Sequence, residues 1–183
     1  IGSSGKDGVW KIPPDPGENF SSDPFIPIPL VGDDGIPVGQ ISNVNHIIGP
    51  PRDWQPPAPP DDDWCDSWLH LRITIFNPFC QETLWLPSLF RVLRDRPEDP
   101  DGLGMEIIET LMAKGLFTAD SQCVGALKGV LDPDLESKGE VSSLTPDEFF
   151  PADSFFDVHV RLETGIGTLS AGPLHMETTV NNL

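Results

Sequence analysis

Proline restricts the fold of this chain more than any other residue, because 21 of its 183 residues are proline and 17 more are glycine. Proline lacks a backbone N–H and interrupts both helix interiors and central strands. Thirteen of the prolines fall in residues 1–63, several of them in adjacent pairs. That segment is therefore expected to run extended, partly as polyproline II. Loop-rich composition of this kind is typical of β-proteins rather than helical ones.

Alternating apolar and polar residues predict β-strands in the rest of the chain. Apolar side chains recur at every second position in residues 156–162 and again in residues 174–180. Residues 69–75 have the same period, which is that of a strand with one buried and one solvated face. Residues 164–173 contain three glycines and a proline, so we expect a turn or loop between the last two strands, with a short extra strand over residues 167–170 as an alternative.

Residues 103–117 fit two interpretations. A helical stripe of apolar residues that ends with Gly115 at a C-cap position is one of them. The β-rich surroundings favour the other, a strand, which we expect. With further strands near residues 83–91, 124–131 and 140–144, the chain has about six to eight strands at roughly 10–15-residue spacing, as in antiparallel sandwiches.

The predicted fold is all-β: residues 64–183 form an antiparallel β-sandwich, Ig-like or jelly-roll-like, after an extended Pro- and Gly-rich N-terminal arm, residues 1–63. Apolar side chains alternate with proline in this arm and need a surface to bury them. That surface belongs either to the same domain or to a neighbouring subunit. The expected contact residues of the arm are Phe25, Ile26, Ile28, Leu30, Val31, Ile36 and Val38.

The charge of the chain excludes several classes of partner. With 29 acidic and 11 basic residues, the formal net charge is −18. Phosphate backbones and anionic membrane surfaces are repelled, so nucleic acid is not an expected partner. No apolar run approaches the roughly 18 residues of a membrane-spanning helix, so no transmembrane segment is predicted.

The three cysteines are too few and too scattered for a zinc site, because no Cys-x-x-Cys pair exists. In a secreted protein, they predict one disulfide and one remaining thiol. Cys65–Cys80 is the first candidate for the disulfide and Cys65–Cys123 the second. Sequence alone does not fix which cysteines pair.

Acidic loops are candidate calcium sites, because this cation binds several oxygen ligands. Asp99 and Asp101 form one such pair, Asp132 and Asp134 another, and residues 61–66 hold a third group. None has the spacing of an EF-hand loop, and solvated acidic loops are the alternative interpretation. No other cofactor is expected.

Three histidines lie on the polar faces of predicted strands, namely His70, His159 and His175. If those strands were neighbours, the imidazoles would form a metal or acid–base cluster. A solvated sheet face with cross-strand charge pairs is the alternative. The chain has no nucleophile elbow, phosphate-binding loop or dinucleotide fingerprint, so we expect it not to be an enzyme.

Tryptophan side chains are candidate platforms for sugar rings, with core packing as the alternative. The five are Trp10, Trp54, Trp64, Trp68 and Trp85. Asn19 is the acceptor of a glycosylation sequon that ends at Ser21, and it is a candidate for modification in a secreted protein.

The sequence Phe150-Pro-Ala-Asp-Ser-Phe-Phe-Asp-Val158, followed by Gly-Thr-Leu and Pro-Leu-His-Met-Glu, resembles a segment of uncharacterised secreted proteins from planctomycetes and related environmental bacteria. Residues 108–110 and 139–141 are similar as well, so the resemblance covers roughly 80 C-terminal residues. The chain departs from the pattern at His159 and Arg161. The resemblance implies an exported β-rich module and carries no catalytic residues.

These observations favour a non-enzymatic structural subunit of an extracellular or cell-surface assembly, such as a filament, sheath or surface layer. Its arm is expected to pack on the β-domain of a neighbouring copy, so the expected partner is the protein itself, as a homopolymer. A secreted carbohydrate- or calcium-binding module is the alternative, with glycans as partners. A metal-dependent enzyme is a second alternative.

Overall fold

The computed structural model describes residues 19–21, 26–48, 63–77, 79–95, 97–146 and 148–180. Within these ranges the regular secondary structure consists of β-strands, and no helix is present. The ten strands are β1 (Asn19–Ser21), β2 (Ile28–Gly32), β3 (Pro37–Ile48), β4 (Asp63–Asn77), β5 (Cys80–Arg94), β6 (Ile107–Ser121), β7 (Gly125–Leu131), β8 (Lys138–Thr145), β9 (Glu148–Thr164) and β10 (Gly167–Val180).

All ten strands belong to one antiparallel sheet, in the order β1-β3-β2-β10-β9-β7-β6-β5-β4. Strand β8 pairs with both β6 and β9 and lies off this path. Strand β3 pairs with β2 and also with β4, from Gly39 opposite Ile75 to Ile48 opposite Ser67. The β3–β4 pairing joins the two ends of the sheet, so the sheet closes on itself. The prediction of an all-β antiparallel fold is confirmed.

Inward-facing side chains fill the closed sheet with a hydrophobic core. In β4, the residues Leu69, Leu71, Ile73 and Ile75 are all fully buried and alternate with residues that face outward. Each such side chain contributes about 1.5–3 kcal/mol by leaving water. The period-two pattern of residues 69–75 therefore predicted the correct face.

The two C-terminal strands also follow the predicted pattern. Strand β9 buries its apolar face from Phe156 to Leu162. The loop expected over residues 164–173 is wrong for most of its length, because only Gly165 and Ile166 form the turn before β10. The glycine and proline that suggested a longer loop lie instead in a bulge, where the register shifts between Ala171 and Leu174.

Phenylalanine packs over glycine at three places where neighbouring strands pair. The pairs are Phe90 with Gly115, Phe117 with Gly129, and Phe156 with Gly139. A Cβ atom built on Gly115 would lie 1.8 Å from the ring of its partner, so only glycine leaves room for the ring. Gly115 is therefore a packing residue in the middle of β6, rather than the helix cap that its sequence context also allowed.

The segment from Asn19 to Ile48, which contains β1, β2 and β3, forms part of this sheet. Strand β3 pairs with β4 over most of its length, whereas β2 meets β10 at two residue pairs, Gly32 with Leu169 and Val31 with Ser170. Residues 28–48 of the predicted arm thus belong to the sheet that the rest of the chain forms. The sequence did not decide whether these residues pack on their own domain or on a neighbouring subunit.

Candidate functional site

The outer face of the β4–β5 hairpin carries a row of aromatic, apolar and cationic side chains, which we name the tryptophan face. Its members are Trp64, Trp68, Arg72, Trp85, Leu89 and Arg91. Trp68, Trp85 and Leu89 have exposed fractions of 39, 60 and 44 %. Large exposed apolar side chains in one contiguous patch indicate a binding surface, whereas single ones carry no such meaning.

Strand register sets the spacing of the three tryptophans. Trp64 and Trp68 lie four residues apart on β4, which places them about 13 Å apart along the strand. Trp85 of β5 lies opposite Arg72, a further four residues along. The three indoles therefore follow one another at equal steps along the hairpin axis. Leu89 lies opposite Trp68 and widens the patch at its centre.

Both arginines of this face are in contact with tryptophan rings. The guanidinium carbon of Arg91 lies 3.9 Å from the Trp64 ring centroid, and that of Arg72 lies 5.6 Å from the Trp85 centroid. These are cation–π distances. Arg91 also donates a 3.1 Å hydrogen bond from Nε to Asp66. Arg72 forms no ion pair with any described residue, and its side chain is exposed.

A second surface has the opposite charge, and we name it the acidic face. It lies on the outer side of β8, β9 and β10 and consists of Glu140, Asp153, Asp157 and Glu177 around the ring of Phe155. Register places Phe155 between Glu140 on one side and Glu177 on the other. An open depression of ≈ 530 Å³ lies here, lined by Ser142, Asp153, Ser154, Phe155, Glu177, Thr178 and Thr179.

Two basic side chains lie among the carboxylates of the acidic face, His175 on β10 and Lys138 on β8, which lies opposite Asp157. The Nδ1 of His175 lies 2.7 Å from an oxygen of Asp157, its Nε2 lies 3.6 Å from Glu177, and its ring stacks on Phe155. The hydrogen bond to Asp157 raises the pKa of His175 above its usual value, with the two nearby carboxylates adding to the effect. The histidine therefore holds its charge to higher pH than a solvated one and offsets part of the local negative charge.

The two faces lie on opposite sides of the closed sheet. In one direction around the sheet, β3 and β2 lie between β4 and β10. In the other direction, β6 and then β7 or β8 lie between β5 and β9. One side of the molecule therefore presents tryptophan and arginine, and the other presents carboxylates around a phenylalanine.

The predicted arm residues are divided between core and surface. Leu30 is fully buried, and Ile28 and Val38 pack against the core, while Val31 is half-buried. The exposed ones are Ile26 and Ile36, at 78 and 58 %. Phe25 lies outside the described residues.

The disulfide prediction is wrong in its pairing. Cys80 and Cys123 form the bond, with their Cα atoms 5.5 Å apart. Cys65 lies opposite Val92 at one end of the β4–β5 hairpin and Cys80 opposite Asn77 at the other, about 40 Å away along β4. A disulfide needs Cα atoms within about 7 Å, so Cys65 cannot reach either candidate partner across that distance without rearrangement of the sheet. Cys65 itself is buried in the core.

The acidic pairs considered for calcium are engaged within the protein. Asp101 accepts the backbone N–H of Leu103, and Asp99 accepts that of Gly104, which holds the turn between β5 and β6. Asp132 and Asp134 both bind Arg161, at 2.8 and 2.7 Å. Among the residues that the structure describes, no cluster of three or more His, Cys, Asp or Glu side chains could hold a metal ion.

The three histidines do not form one cluster. His159 and His175 lie on neighbouring strands, β9 and β10, but His70 lies on β4, on the other side of the closed sheet. Asn19 begins β1 and pairs with Ile47. Trp10 and Trp54 lie outside the described residues.

Sequence analysis named the tryptophans of the site but not the arginines or the acidic face. The signal for the arginines was present in the sequence. Arg91 has the same period-two spacing as Thr83, Trp85, Pro87 and Leu89, so it lies on the same face of β5. The signal for the acidic face was not present, because it depends on which strands become neighbours. Across the described parts of the chain, no helix is long and apolar enough to cross a membrane.

Comparison of the chain with protein-family models, curated protein sequences and solved structures found no match. The functional argument therefore rests on the geometry of the two faces and of the N-terminal segment.

Proposed function

We propose that this protein is a non-enzymatic structural subunit of an extracellular or cell-surface assembly, in which the N-terminal segment of one copy completes the sheet of the next. The observation that carries the proposal is the pairing of β3 with β4, through which residues 37–48 close the sheet within one copy. In the assembly, the same pairing would form between β3 of one copy and β4 of the next. Strand addition of this kind supplies main-chain hydrogen bonds for affinity and side-chain pockets for specificity. Leu30, Ile28 and Val38 are the side chains that fill those pockets.

The connection between β3 and β4 is longer than a hairpin within one copy requires. It runs from residue 49 to residue 62 and contains six prolines. Because Ile48 lies opposite Ser67, the gap to the start of β4 is about four strand positions, or roughly 14 Å. Fourteen residues extended as polyproline II span about 43 Å. The surplus allows β3 to reach a β4 in another copy, and head-to-tail exchange of this kind grows into a filament when it does not close.

Further features support an extracellular location and a sandwich-like arrangement of the sheet. The Cys80–Cys123 disulfide favours an oxidising, extracellular compartment, as does the resemblance of residues 150–177 to exported modules. We also propose that the closed sheet is flattened into two facing layers, as in an Ig-like or jelly-roll-like sandwich. The larger of two core clusters, which joins side chains of β4 and β5 with those of β9 and β10, supports this arrangement.

An engineered disulfide between β3 and β4 tests the exchange. Asn45 and His70 are register partners, so the variant Asn45→Cys/His70→Cys, made with Cys65→Ala to remove the remaining native thiol, places two thiols at bonding distance. Oxidation of the assembled protein should give a ladder of covalent multimers on denaturing gels without reductant. The single variants are the controls. A product that runs only as monomer would place β3 and β4 in the same copy and overturn the exchange.

A carbohydrate-binding module is the second candidate function, favoured by the exposed rings of Trp68 and Trp85 on a flat sheet face. Aromatic faces of this kind stack on apolar faces of ring-shaped ligands. The test is glycan-array binding by the wild-type chain and by Trp85→Ala, with Phe79→Ala as control, because Phe79 is 98 % exposed and lies at the hairpin turn. Absence of binding to every glycan would exclude this function.

A further inference from the structure

We propose that copies of this protein dock face to face, with the tryptophan face of one copy on the acidic face of the next. This inference rests on the proposed function as an assembly subunit, but it uses surfaces formed by β4, β5, β8, β9 and β10. It names a second contact between copies, in addition to the strand exchange.

The geometry of the sheet makes this contact open-ended. The two faces lie on opposite sides of the closed sheet, with β3 and β2 between β4 and β10 in one direction and β6 between β5 and β8 in the other. A contact between two unlike surfaces of the same protein is heterologous, and it gives a ring or an open chain according to the rotation between copies. Faces on opposite sides of the molecule favour the open chain, because each docked copy leaves its far face available for another.

The chemistry of the two faces is complementary. The tryptophan face offers Arg72 and Arg91 beside indole rings, in a protein whose net charge is −18. The acidic face offers Asp153, Asp157 and Glu177 near the ring of Phe155, and Asp153, Phe155 and Glu177 line an open depression. Guanidinium groups bind carboxylates through charge-assisted hydrogen bonds, and Trp and Arg are the residues that contribute most to protein interfaces.

The acidic face distinguishes a second copy from a glycan as the occupant. An acidic polysaccharide would use the tryptophans and arginines in the same way, but it would need nothing from the opposite side of the molecule. A second copy uses both faces at once, so the proposal predicts that the far side of the molecule contributes to binding. Charge reversal on each face separately therefore separates the two occupants.

The experiment uses the full chain with one exposed charge reversed on each face. Arg72→Glu alters the tryptophan face, and Glu177→Arg alters the acidic face, where the side chain is 73 % exposed. Lys128→Glu is the matched control, because this exposed lysine lies on β7, outside both faces. Sedimentation velocity after dilution measures the rapidly reversible part of self-association. Strand exchange does not contribute to that part, because it must first break the β3–β4 ladder.

Each variant alone should weaken reversible association by about tenfold or more, because like charges then meet across the contact. An equal mixture of the two variants should recover association to the wild-type level, since every contact in an alternating chain then pairs opposite charges. The control should behave as wild type. Either variant alone associating like wild type, a mixture that does not recover, or a wild-type chain without reversible association would overturn the proposal.

The two proposals fail separately. Suppose that each charge variant alone loses reversible association, and that the oxidised Asn45→Cys/His70→Cys protein forms no covalent multimers. Face docking would then be the sole contact between copies. Unchanged association in both variants, together with polysaccharide binding that Arg72→Glu abolishes, would reject docking and assign the tryptophan face to an acidic glycan.

Discussion

Gly129 and Phe117 occupy opposite positions in two neighbouring strands, and each determines what the other can be. A Cβ atom on Gly129 would lie 1.8 Å from the Phe117 ring, which is 3 % exposed and cannot move into solvent without leaving the core. The same relation joins Gly115 to Phe90. Glycine is needed at these two positions because it has no side chain and leaves room for the facing ring. Neither glycine has the positive φ that makes glycine necessary in turns.

Replacement of Gly129 by alanine should lower the free energy of unfolding by about 1–3 kcal/mol, because the added methyl group overpacks the core. Urea denaturation of Gly129→Ala measures the loss. The double variant Gly129→Ala/Phe117→Leu should be destabilised by less than the sum of the two single variants, since the smaller side chain relieves the clash. Additive losses would show that the ring and the glycine do not interact.

His46 is a fully buried titratable residue that packs edge-on against the ring of Phe156. Burial lowers its pKa from 6.5 to about 3. In the unfolded chain the histidine binds a proton near pH 6.5, whereas in the folded protein it stays neutral. The unfolded state therefore binds more protons between these two values, and stability falls as the pH decreases through that window.

The His46→Leu variant should lose this part of the pH dependence. Between pH 7 and pH 5, wild type should lose about 2 kcal/mol of unfolding free energy relative to the variant, by the usual relation of about 1.4 kcal/mol per pH unit. Urea melts of both proteins at the two pH values give the difference. A difference that is the same at pH 7 and at pH 5 would show that His46 is protonated in the folded state.

Both ends of the β4–β5 hairpin are anchored by interactions in addition to its ladder of backbone hydrogen bonds. At one end, buried Asp63 forms an ion pair with Arg94, which donates from both Nε and Nη2. At the other end, the Cys80–Cys123 disulfide and hydrogen bonds from Ser121 and the backbone to Glu82 attach the hairpin to the turn between β6 and β7. The hairpin that carries the tryptophan face is thus fixed in place.

Removal of the disulfide in Cys80→Ser/Cys123→Ser should lower the free energy of unfolding by up to about 4 kcal/mol, because the bond closes a loop of 43 residues in the unfolded chain. Thermal melts with and without reductant measure the effect. Cys65→Ser is the comparison: it keeps the Cys80–Cys123 bond, so reductant should lower its melting temperature, whereas that of Cys80→Ser/Cys123→Ser should not depend on reductant. Equal reductant dependence in both variants would contradict the assigned pairing.

Individual strands could be predicted from sequence because their signal is local. The apolar faces of β4 and β9 follow from the period of residues 69–75 and 156–162, and residues 107–121 form the strand favoured over a helix. Which strands become neighbours depends on contacts between distant residues, and local periodicity does not contain that information. The cysteine pairing failed for this reason, as did the expectation of one histidine cluster.

At the scale of the whole molecule, closure depends on residues 19–48. Without them, β4 and β10 would be free edges, and the buried face of β4 from Leu69 to Ile75 would lose part of its cover. Unpaired edges of this kind are aggregation sites. The arm predicted from proline content is therefore, in its described part, the piece that completes the sheet.

A chain of residues 61–183 should not fold to a stable monomer, because its sheet remains open. A synthetic peptide of residues 19–48, added in excess, should restore cooperative unfolding by supplying β1–β3 from outside. Thermal melts followed by near-ultraviolet circular dichroism measure the recovery. A peptide in which Leu30 is replaced by Asp is the control. Cooperative melting of residues 61–183 alone would show that the N-terminal segment is dispensable for the fold.

The position of the disulfide also affects how long the molecule survives digestion. The connection between β5 and β6, residues 95–106, contains exposed positions such as Leu103 and lies between Cys80 and Cys123 in the chain. A protease that cuts there would leave two polypeptides joined by the disulfide, with strands on both sides of the cut still in the sheet. The nicked protein would run as one species without reductant and as two with it. A chain with this disulfide would thus outlast its first cleavage.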